Sequence, residues 1–480
     1  MKRRPDPLAR RRAHGPRAVL ASALLVLAPA CKTYSEELEQ FSNEWDVGRF
    51  EAANATLEEL IADDSDVELE LVARTKGTDE SIDLETSNGC ALLLEKGMVN
   101  LVLGDSEAAI KVWRRCRDTL DVRYKNGATE FFSTALGDDT GLQYAGADYE
   151  HILVRAMLAL AELVANGPRG EAYPYALQIA EKQEEIIGSS FGEAEGYKPR
   201  AQYQRVALGA YLQGVILEEQ LSVSEAHKVY ARGLEYAGQS ELLAEAVRRT
   251  QAGEARSSQG HALVHVFYLA GRGPKLVESQ SPATDIARDI VAVRSMVHDQ
   301  LPVALFQKPI PIPAVAVRDP LVAPLEIAVD GERAAATQVL LDLNVVATQQ
   351  ALANLPMILA RAVVRRIAKG VGSHALGQAA GESDKQAGQA VEALANLFST
   401  VFERADTRQW STLPAFIHVA RFEVPTGEHA LTFGAVLPPV RIAVDQARDT
   451  YIVIVQPNTN GPGAVLVDAY SRVDALPASN

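Results

Sequence analysis

Apolar and polar residues in positions 35–255 follow the spacing of paired amphipathic helices. Pairs are predicted over residues 35–62, 93–117, 149–185 and 210–236, each with a short break and a small residue where two helices would cross. The breaks in the first three are Asp46-Val47-Gly48, Gly104-Asp105 and Asn166-Gly167-Pro168. The small residues of the second helices are Ala53, Ala109, Ala176 and Ala226. This pattern predicts an array of antiparallel helix pairs.

Two of these pairs resemble the tetratricopeptide repeat. That repeat has glycine or alanine where its two helices touch, and an aromatic residue four positions after the second-helix alanine. The matching residues are Gly97, Ala109 and Trp113 in one pair and Gly214, Ala226 and Tyr230 in the other. The second-helix alanines are farther apart than the usual repeat of about 34 residues. The resemblance therefore implies an irregular array, and an ordinary helical bundle is the alternative.

The pattern changes near residue 260 to that of strands. Residues 262–269 are rich in β-branched and aromatic side chains and lead into the turn 271–275. Asp330-Gly331 is a hairpin signal, and the prolines of residues 301–317 favour an edge strand or an extended linker. Further strands are predicted at 325–329, 416–424, 429–433, 440–444, 450–455 and 464–468. We expect an antiparallel sheet with one buried face.

Two helices are predicted within this β region, over residues 337–369 and 385–404, and together they would form a hairpin. A basic, apolar-faced helix can lie on a membrane, but packing against its neighbour is favoured. The predicted fold class is α+β, with a tetratricopeptide-like helical repeat array followed by a β-rich C-terminal domain that carries the inserted hairpin. The expected divisions are 1–30, a signal peptide; 31–255, the array; and 261–475, the β-rich domain with its hairpin at 337–404.

The N-terminus has the composition of an export signal. Seven basic residues precede an apolar run over residues 18–31, which closes on Ala30 and Cys31. The end of this run resembles the lipobox of bacterial lipoproteins, with Leu27, Ala28, Pro29, Ala30 and Cys31 in its positions. Ala28 stands where leucine is commonest. The resemblance implies cleavage before Cys31 and lipidation of its thiol. Simple secretion and an uncleaved anchor are the alternatives.

The net charge limits the expected partners, and the length of the chain limits the expected number of domains. The chain of 480 residues has a net charge of −15, and its first 30 residues carry +6, so the remainder carries −21. Such a charge disfavours nucleic acid as a partner. About 450 residues exceed what one hydrophobic core usually supports, which favours two or three domains.

Two cysteines remain besides Cys31. Cys90 lies 14 residues before Gly104 and Cys116 lies 12 residues after it, so antiparallel pairing places both at the same end of one hairpin. An exported protein meets oxidising conditions, which makes a Cys90–Cys116 disulfide possible if the backbones are close enough. Two buried thiols are the alternative.

The turn Gly271-Arg272-Gly273-Pro274-Lys275 has two interpretations. Glycine amides and a lysine could bind an anion, but the spacing is not that of a P-loop, and a structural turn at Gly271, Gly273 and Pro274 is favoured. An uncharacterised family of bacterial lipoproteins with helical repeats has a similar turn. The family also has a similar later segment, which here is Trp410-Ser411-Thr412-Leu413-Pro414-Ala415. The resemblance supports the architecture and implies no activity.

The sequence shows no signature of a zinc protease, a serine hydrolase or a catalytic cysteine. His261 and His265 share a face, but no second pair of metal ligands stands near them, so we expect no metal, no cofactor and no catalytic residue.

These observations predict a cell-envelope protein held to the membrane by lipid and binding envelope proteins through the concave side of its array. Lys32, in the place where aspartate would favour the inner membrane, points to the outer membrane facing the periplasm. An envelope enzyme acting on cell-wall or lipid material is an alternative. An accessory subunit of a secretion or outer-membrane assembly system is another.

Overall fold

The computed structural model describes residues 34–63, 88–130, 143–189, 198–253, 257–281, 310–356, 358–359 and 405–473. The predicted signal peptide, Cys31 and the predicted helix 385–404 lie outside the described residues. Within the described ranges the chain is α+β, with helices in the N-terminal region and sheets in the C-terminal region, as predicted.

The helices of the N-terminal region follow one another as antiparallel neighbours. They are α1 (Tyr34–Glu37), α2 (Glu39–Asp46), α3 (Phe50–Asp63), α4 (Gly89–Val102), α5 (Ser106–Glu130), α6 (Asp148–Asn166), α7 (Ala172–Gly188), α8 (Leu208–Glu219), α9 (Val223–Ala237) and α10 (Glu241–Gln251). From α2 onwards, each packs mainly against the helix before it and the helix after it. All four predicted pairs are therefore helical, and the turns between them lie where glycine and asparagine predicted them.

Two glycines allow close helix contacts with an aromatic ring. A Cβ atom at Gly97 would lie 2.1 Å from Nε1 of Trp113, and one at Gly214 would lie 2.3 Å from Cε1 of Tyr230. Both rings are almost fully buried. The rings occupy the volume that any larger residue would need, which is why glycine stands at both positions.

The helices form an inner and an outer row. Inner helices α4, α6 and α8 are covered on nearly all sides, and every residue of α6 from Asp148 to Val164 is buried. Outer helices such as α9 bury one face and expose the opposite face. An inner helix that is buried on all sides must contact more than its helical neighbours.

The additional contact comes from the C-terminal strands. These are β1 (His261–Ala270), β2 (Lys275–Ser281), β3 (Ile310–Ala316), β4 (Glu326–Val329), β5 (Glu332–Ala336), β6 (Gln338–Asp342), β7 (Phe416–Pro425), β8 (Gly427–Phe433), β9 (Val440–Val444), β10 (Thr450–Gln456) and β11 (Ala464–Val467). They form a five-stranded sheet in the order β11-β10-β1-β7-β6, a four-stranded sheet β5-β4-β8-β9, and the ribbon β2-β3.

The five-stranded sheet differs from the predicted antiparallel sheet with one buried face. β1 and β10 pair in parallel, and both faces are covered. Phe267 and Leu269 of β1 point into the core of the inner helices, whereas Val266 and Tyr268 point into the core shared with the four-stranded sheet. The sheet therefore lies between the inner helices and a second sheet.

The helix predicted from residue 337 begins later. Residues 338–342 form β6, which pairs with β7, and helix α11 occupies residues 343–356. Asp342 accepts hydrogen bonds from the backbone N–H groups of Asn344 at 2.9 Å and Val345 at 3.3 Å, so its side chain caps the helix start. The Asp330-Gly331 hairpin is confirmed between β4 and β5, with both residues at positive φ.

Candidate functional site

The turn 271–275 and the segment 410–412, here called the strap, lie together between the helices and the sheets. The Gly273 N–H donates to the carbonyl of Leu413 at 2.8 Å, the Gly271 N–H to that of Gln456 at 2.9 Å, and the Arg272 N–H to Oδ2 of Asp319 at 2.6 Å. These three amides are therefore occupied within the protein. An anion at this turn would have to be held by side chains.

Both glycines of the turn are close to neighbouring groups. Gly271 has φ +68°, and a Cβ there would lie 2.9 Å from Oδ2 of Asp319. A Cβ at Gly273 would lie 3.0 Å from the Leu343 side chain and 3.1 Å from the Leu413 carbonyl oxygen. The conformation and the packing of the turn both require residues without a side chain.

Glu95 of α4 holds the strap from the side of the helices. Its fully buried carboxylate accepts hydrogen bonds from the Ser411 N–H, from the Thr412 N–H at 3.0 Å and from the Thr412 hydroxyl at 2.5 Å. Burial raises the pKa of Glu95, and the hydrogen bonds it accepts oppose that rise. The carboxylate thus satisfies backbone donors that would otherwise be buried without a partner.

Glu150 of α6 binds the neighbouring part of the strap. It accepts hydrogen bonds from the Trp410 N–H at 2.7 Å, the Ala147 N–H at 2.9 Å and the Tyr144 hydroxyl. Burial raises the pKa of Glu150 to about 7, against the effect of these hydrogen bonds, and the charge of Glu95 contributes to the rise. Two inner helices therefore each contribute one carboxylate to the same three-residue strap.

Sequence reasoning missed both carboxylates. For Glu95 the signal was the single acidic residue of the largely apolar α4, because a buried carboxylate needs donors from elsewhere in the fold. Glu150, by contrast, is one of three acidic residues of α6 and has no such signal. The strap is further fixed by Trp410, whose ring centroid lies 5.9 Å from that of Trp113. Its indole N–H donates to the Thr412 hydroxyl at 3.0 Å.

Two arginines also bind the strap. Nε of Arg272 and Nη2 of Arg318 each lie 3.0 Å from the carbonyl oxygen of Ser411, so the two guanidinium groups are side by side. Arg318 also donates to the Gly273 carbonyl at 2.7 Å, and Arg272 forms an ion pair with Asp46. Burial lowers the pKa of Arg318 to about 9, and the charge of Arg272 lowers it further.

These groups retain unused hydrogen-bonding capacity. Nη2 of Arg272 is buried and has no hydrogen-bond partner among the described residues, whereas the Ser411 side chain is hydrogen-bonded to the carboxylate of Glu95. Within the same ranges, no acceptor is recorded for Nη1 of Arg318 or for the exposed Lys275 ammonium. A buried donor without a partner costs free energy, so it marks a position where a ligand or water atom would be stabilised.

A cleft of about 450 Å³ opens beside these groups. Helices α1 and α2 form one wall, with Tyr34 and the exposed Glu39, and the start of β2 forms the other. Arg318 and Ser411 lie along it.

Glu95 and Glu150 do not line this cleft, because their oxygens face the strap amides. The basic residues of the lining are Lys275 and Arg318. The acidic residues of the lining are Glu36, Glu39, Asp46 and Glu278, so the cleft carries both signs of charge.

The cysteines lie side by side, as the hairpin geometry predicted. Cys90 of α4 and Cys116 of α5 are both buried free thiols, and Sγ of Cys116 lies 3.9 Å from the carbonyl oxygen of Cys90. Burial raises the pKa of the Cys116 thiol well above its usual range, and the neighbouring Cys90 adds to the rise. A buried neutral thiol is a poor nucleophile, so Cys116 is unreactive in this state.

The histidines of β1 do not form a joint site. Nε2 of His265 lies 3.1 Å from Oδ2 of Asp449, whereas Nδ1 of His261 lies 3.3 Å from the Gln259 carbonyl. Across the ranges that the structure describes, no cluster of three or more His, Cys, Asp or Glu side chains could hold a metal ion. In the same ranges, none of the helices has both the length and the apolar character needed to cross a bilayer.

No protein-family model, no curated protein and no solved structure matches this chain.

Proposed function

We propose that this chain is a lipid-anchored protein of the bacterial cell envelope, on the periplasmic side of the outer membrane, which acts by binding rather than by catalysis. The lipobox-like residues before Cys31 and the following Lys32 support the anchor and its location. The resemblance of its helix pairs to tetratricopeptide repeats, with ring contacts at Gly97 and Gly214, supports descent of the array from that family.

The binding surface in this proposal is the cleft between α1–α2 and the turn 271–275. A protein partner at the concave side of the array would have to displace the five-stranded sheet, because inner helices and sheet share one core. The cleft is open and has a volume of about 450 Å³, and this opening beside the strap is the single observation on which the assignment rests.

The anchor would place this cleft next to the membrane. Tyr34 lines the cleft and follows Cys31 by three residues. Three residues span at most about 11 Å in any conformation. A ligand in this cleft would therefore be held close to the headgroups of the leaflet in which the lipid is inserted.

Replacing Cys31 by serine is expected to abolish the anchor. The thiol is the only group in the lipobox-like segment that can receive the lipid, so Cys31→Ser should leave the protein without fatty acid. Fractionation of native membranes and mass spectrometry of the mature protein measure both effects. A matched Cys90→Ser variant should remain lipidated and sediment with outer-membrane vesicles.

Two outcomes would contradict the anchor. One is a Cys31→Ser protein that still sediments with membranes as the wild type does. The other is a wild-type protein whose Cys31 carries no lipid.

A further inference from the structure

We propose that Cys90 and Cys116 are the site of an intramolecular disulfide that ties α4 to α5 in the mature protein. The thiol pair of the structure is the reduced form of this site. The inference rests on the proposed function in one respect, because export brings the chain into an oxidising compartment, where disulfides form and persist. It goes beyond that function, because it assigns a covalent modification to two residues that do not line the cleft.

Helix packing brings the two sulfur atoms together. Sγ of Cys116 lies 3.9 Å from the carbonyl oxygen of Cys90, and the two thiols are hydrogen-bonded to each other. A disulfide needs facing residues whose Cα atoms are no more than about 7 Å apart. Contact of one thiol with both the sulfur and the backbone of the other cysteine indicates that closeness.

The neighbouring contact between α4 and α5 has the same register. The indole N–H of Trp113 donates to the Leu94 carbonyl at 3.2 Å, so these two residues face each other across the helix pair. Cys90 lies four residues before Leu94, which is about one helical turn. Cys116 lies three residues after Trp113, so the cysteines occupy the next layer of the same interface.

No other cysteine competes for either thiol. The sequence has three cysteines, and the third, Cys31, is the residue that the proposed anchor acylates. Cys90 and Cys116 are both fully buried, so neither thiol is accessible to a second chain once the helices have packed. The disulfide that the fold favours is therefore the one within the chain.

Thiol–disulfide exchange forms the bond in two steps, before the helices pack or during a local opening. One cysteine thiolate attacks an external disulfide, which is a small-molecule or protein disulfide of the envelope. One external sulfur leaves as a thiolate and takes up a proton, and the other stays bound to the cysteine. The second cysteine thiolate then attacks the sulfur of the first and releases the remaining external sulfur as a thiol. Two cysteine thiols are thus oxidised by two electrons, and one external disulfide is reduced to two thiols.

The bond would hold the start of α4, the helix that carries one carboxylate of the strap. Asn88 precedes this helix and makes no capping hydrogen bond with its side chain, and Cys90 lies in the first turn. Glu95 lies five residues farther along and accepts the strap amides. A bond to Cys116 would therefore support the end of α4 that has no side-chain cap, and it would restrict the unfolded chain by closing the loop between the cysteines.

The test is mass spectrometry of the full lipidated protein, isolated from native membranes without reductant and alkylated with iodoacetamide in denaturant. We expect no alkylated cysteine before reduction and two after it. The fragments that contain Cys90 and Cys116 should be joined in the unreduced digest. The unreduced protein should migrate as a monomer on a denaturing gel, which shows that the bond lies within one chain.

The melting temperature measures what the bond contributes. A phosphine reductant should lower the melting temperature of the wild type by about 5 °C. The control is the double variant Cys90→Ala/Cys116→Ala, which should melt at the same temperature with and without reductant. Because each protein is compared with itself, the cavities left by the two alanines do not enter the comparison. An unchanged melting temperature after complete reduction of the wild type would contradict the stabilising role.

A protein isolated with two free thiols would be incubated with glutathione disulfide as a second step. Formation of the Cys90–Cys116 bond would support the site and would count against export to an oxidising compartment, so that the proposed function alone fails. Persistence of both thiols, or glutathione retained on either cysteine, would overturn the disulfide, whatever the Cys31→Ser experiment shows.

Discussion

Glu95→Ala is expected to lower the free energy of unfolding by about 4 kcal/mol, the largest effect of any single replacement considered. The change leaves the Ser411 and Thr412 amides and the Thr412 hydroxyl without their acceptor. Each buried donor left without a partner costs roughly 1 to 3 kcal/mol, and relief of the buried carboxyl offsets part of that total. The strap would lose its attachment to α4.

Urea denaturation followed by tryptophan fluorescence measures this effect. Trp410 belongs to the strap and Trp113 packs against it, and because both are buried they should report its release. Glu59→Ala is the matched control, because Glu59 is exposed on α3, and it should change stability by less than about 0.5 kcal/mol. A Glu95→Ala protein as stable as this control would show that the carboxylate does not hold the strap.

Stability should fall as the pH rises from about 4.5 to about 7, because of Glu150. Burial raises the pKa of this carboxyl from its ordinary value of 4.5 to about 7 in the folded protein. Between these values the unfolded chain releases the proton and the folded chain keeps it, so raising the pH favours unfolding. The contribution is complete below pH 4.5 and lost above about 7, and it amounts to about 3 kcal/mol.

Glu150→Gln should remove this part of the pH dependence, since glutamine has the shape of the protonated acid and does not titrate. The measurement is the difference between wild type and variant in free energy of unfolding at pH 5 and pH 8. Glu219, whose pKa burial also raises to about 7, contributes equally to both proteins and cancels. An unchanged slope in Glu150→Gln would show that Glu150 titrates normally in the folded protein.

The helical half of the fold could be predicted because its signals are local. Apolar spacing and glycine turns located each helix pair, and the small residues at Gly97 and Gly214 correctly marked close contacts. The side-by-side placement of Cys90 and Cys116 followed from the same hairpin geometry.

The sheet could be predicted only in part, because strand order depends on contacts distant in sequence. The parallel pairing of β1 with β10 leaves no local signal, although the uninterrupted apolar run TYIVIV of β10 is typical of a strand buried on both faces. The start of α11 was misplaced because Asp342 was not recognised as a helix cap.

The candidate site was the least predictable feature. The turn 271–275 and the strap were noted separately in the sequence, but nothing local joins either of them to Glu95 or Glu150. Their association is a property of the tertiary fold, as is the cleft that lies beside Arg318. Sequence reasoning predicted a binding surface on the helices, and the proposed surface lies at their junction with the sheets.

Photo-crosslinking in the native host tests the central proposal, a ligand-binding cleft at the membrane surface, most directly. A photoreactive amino acid at Glu39 lies on the wall of the cleft, and one at Lys228 lies exposed on outer helix α9 as the control. The proposal predicts a defined adduct from position 39 that decreases with Cys31→Ser, and none from position 228. An adduct from position 228 with none from position 39 would contradict it.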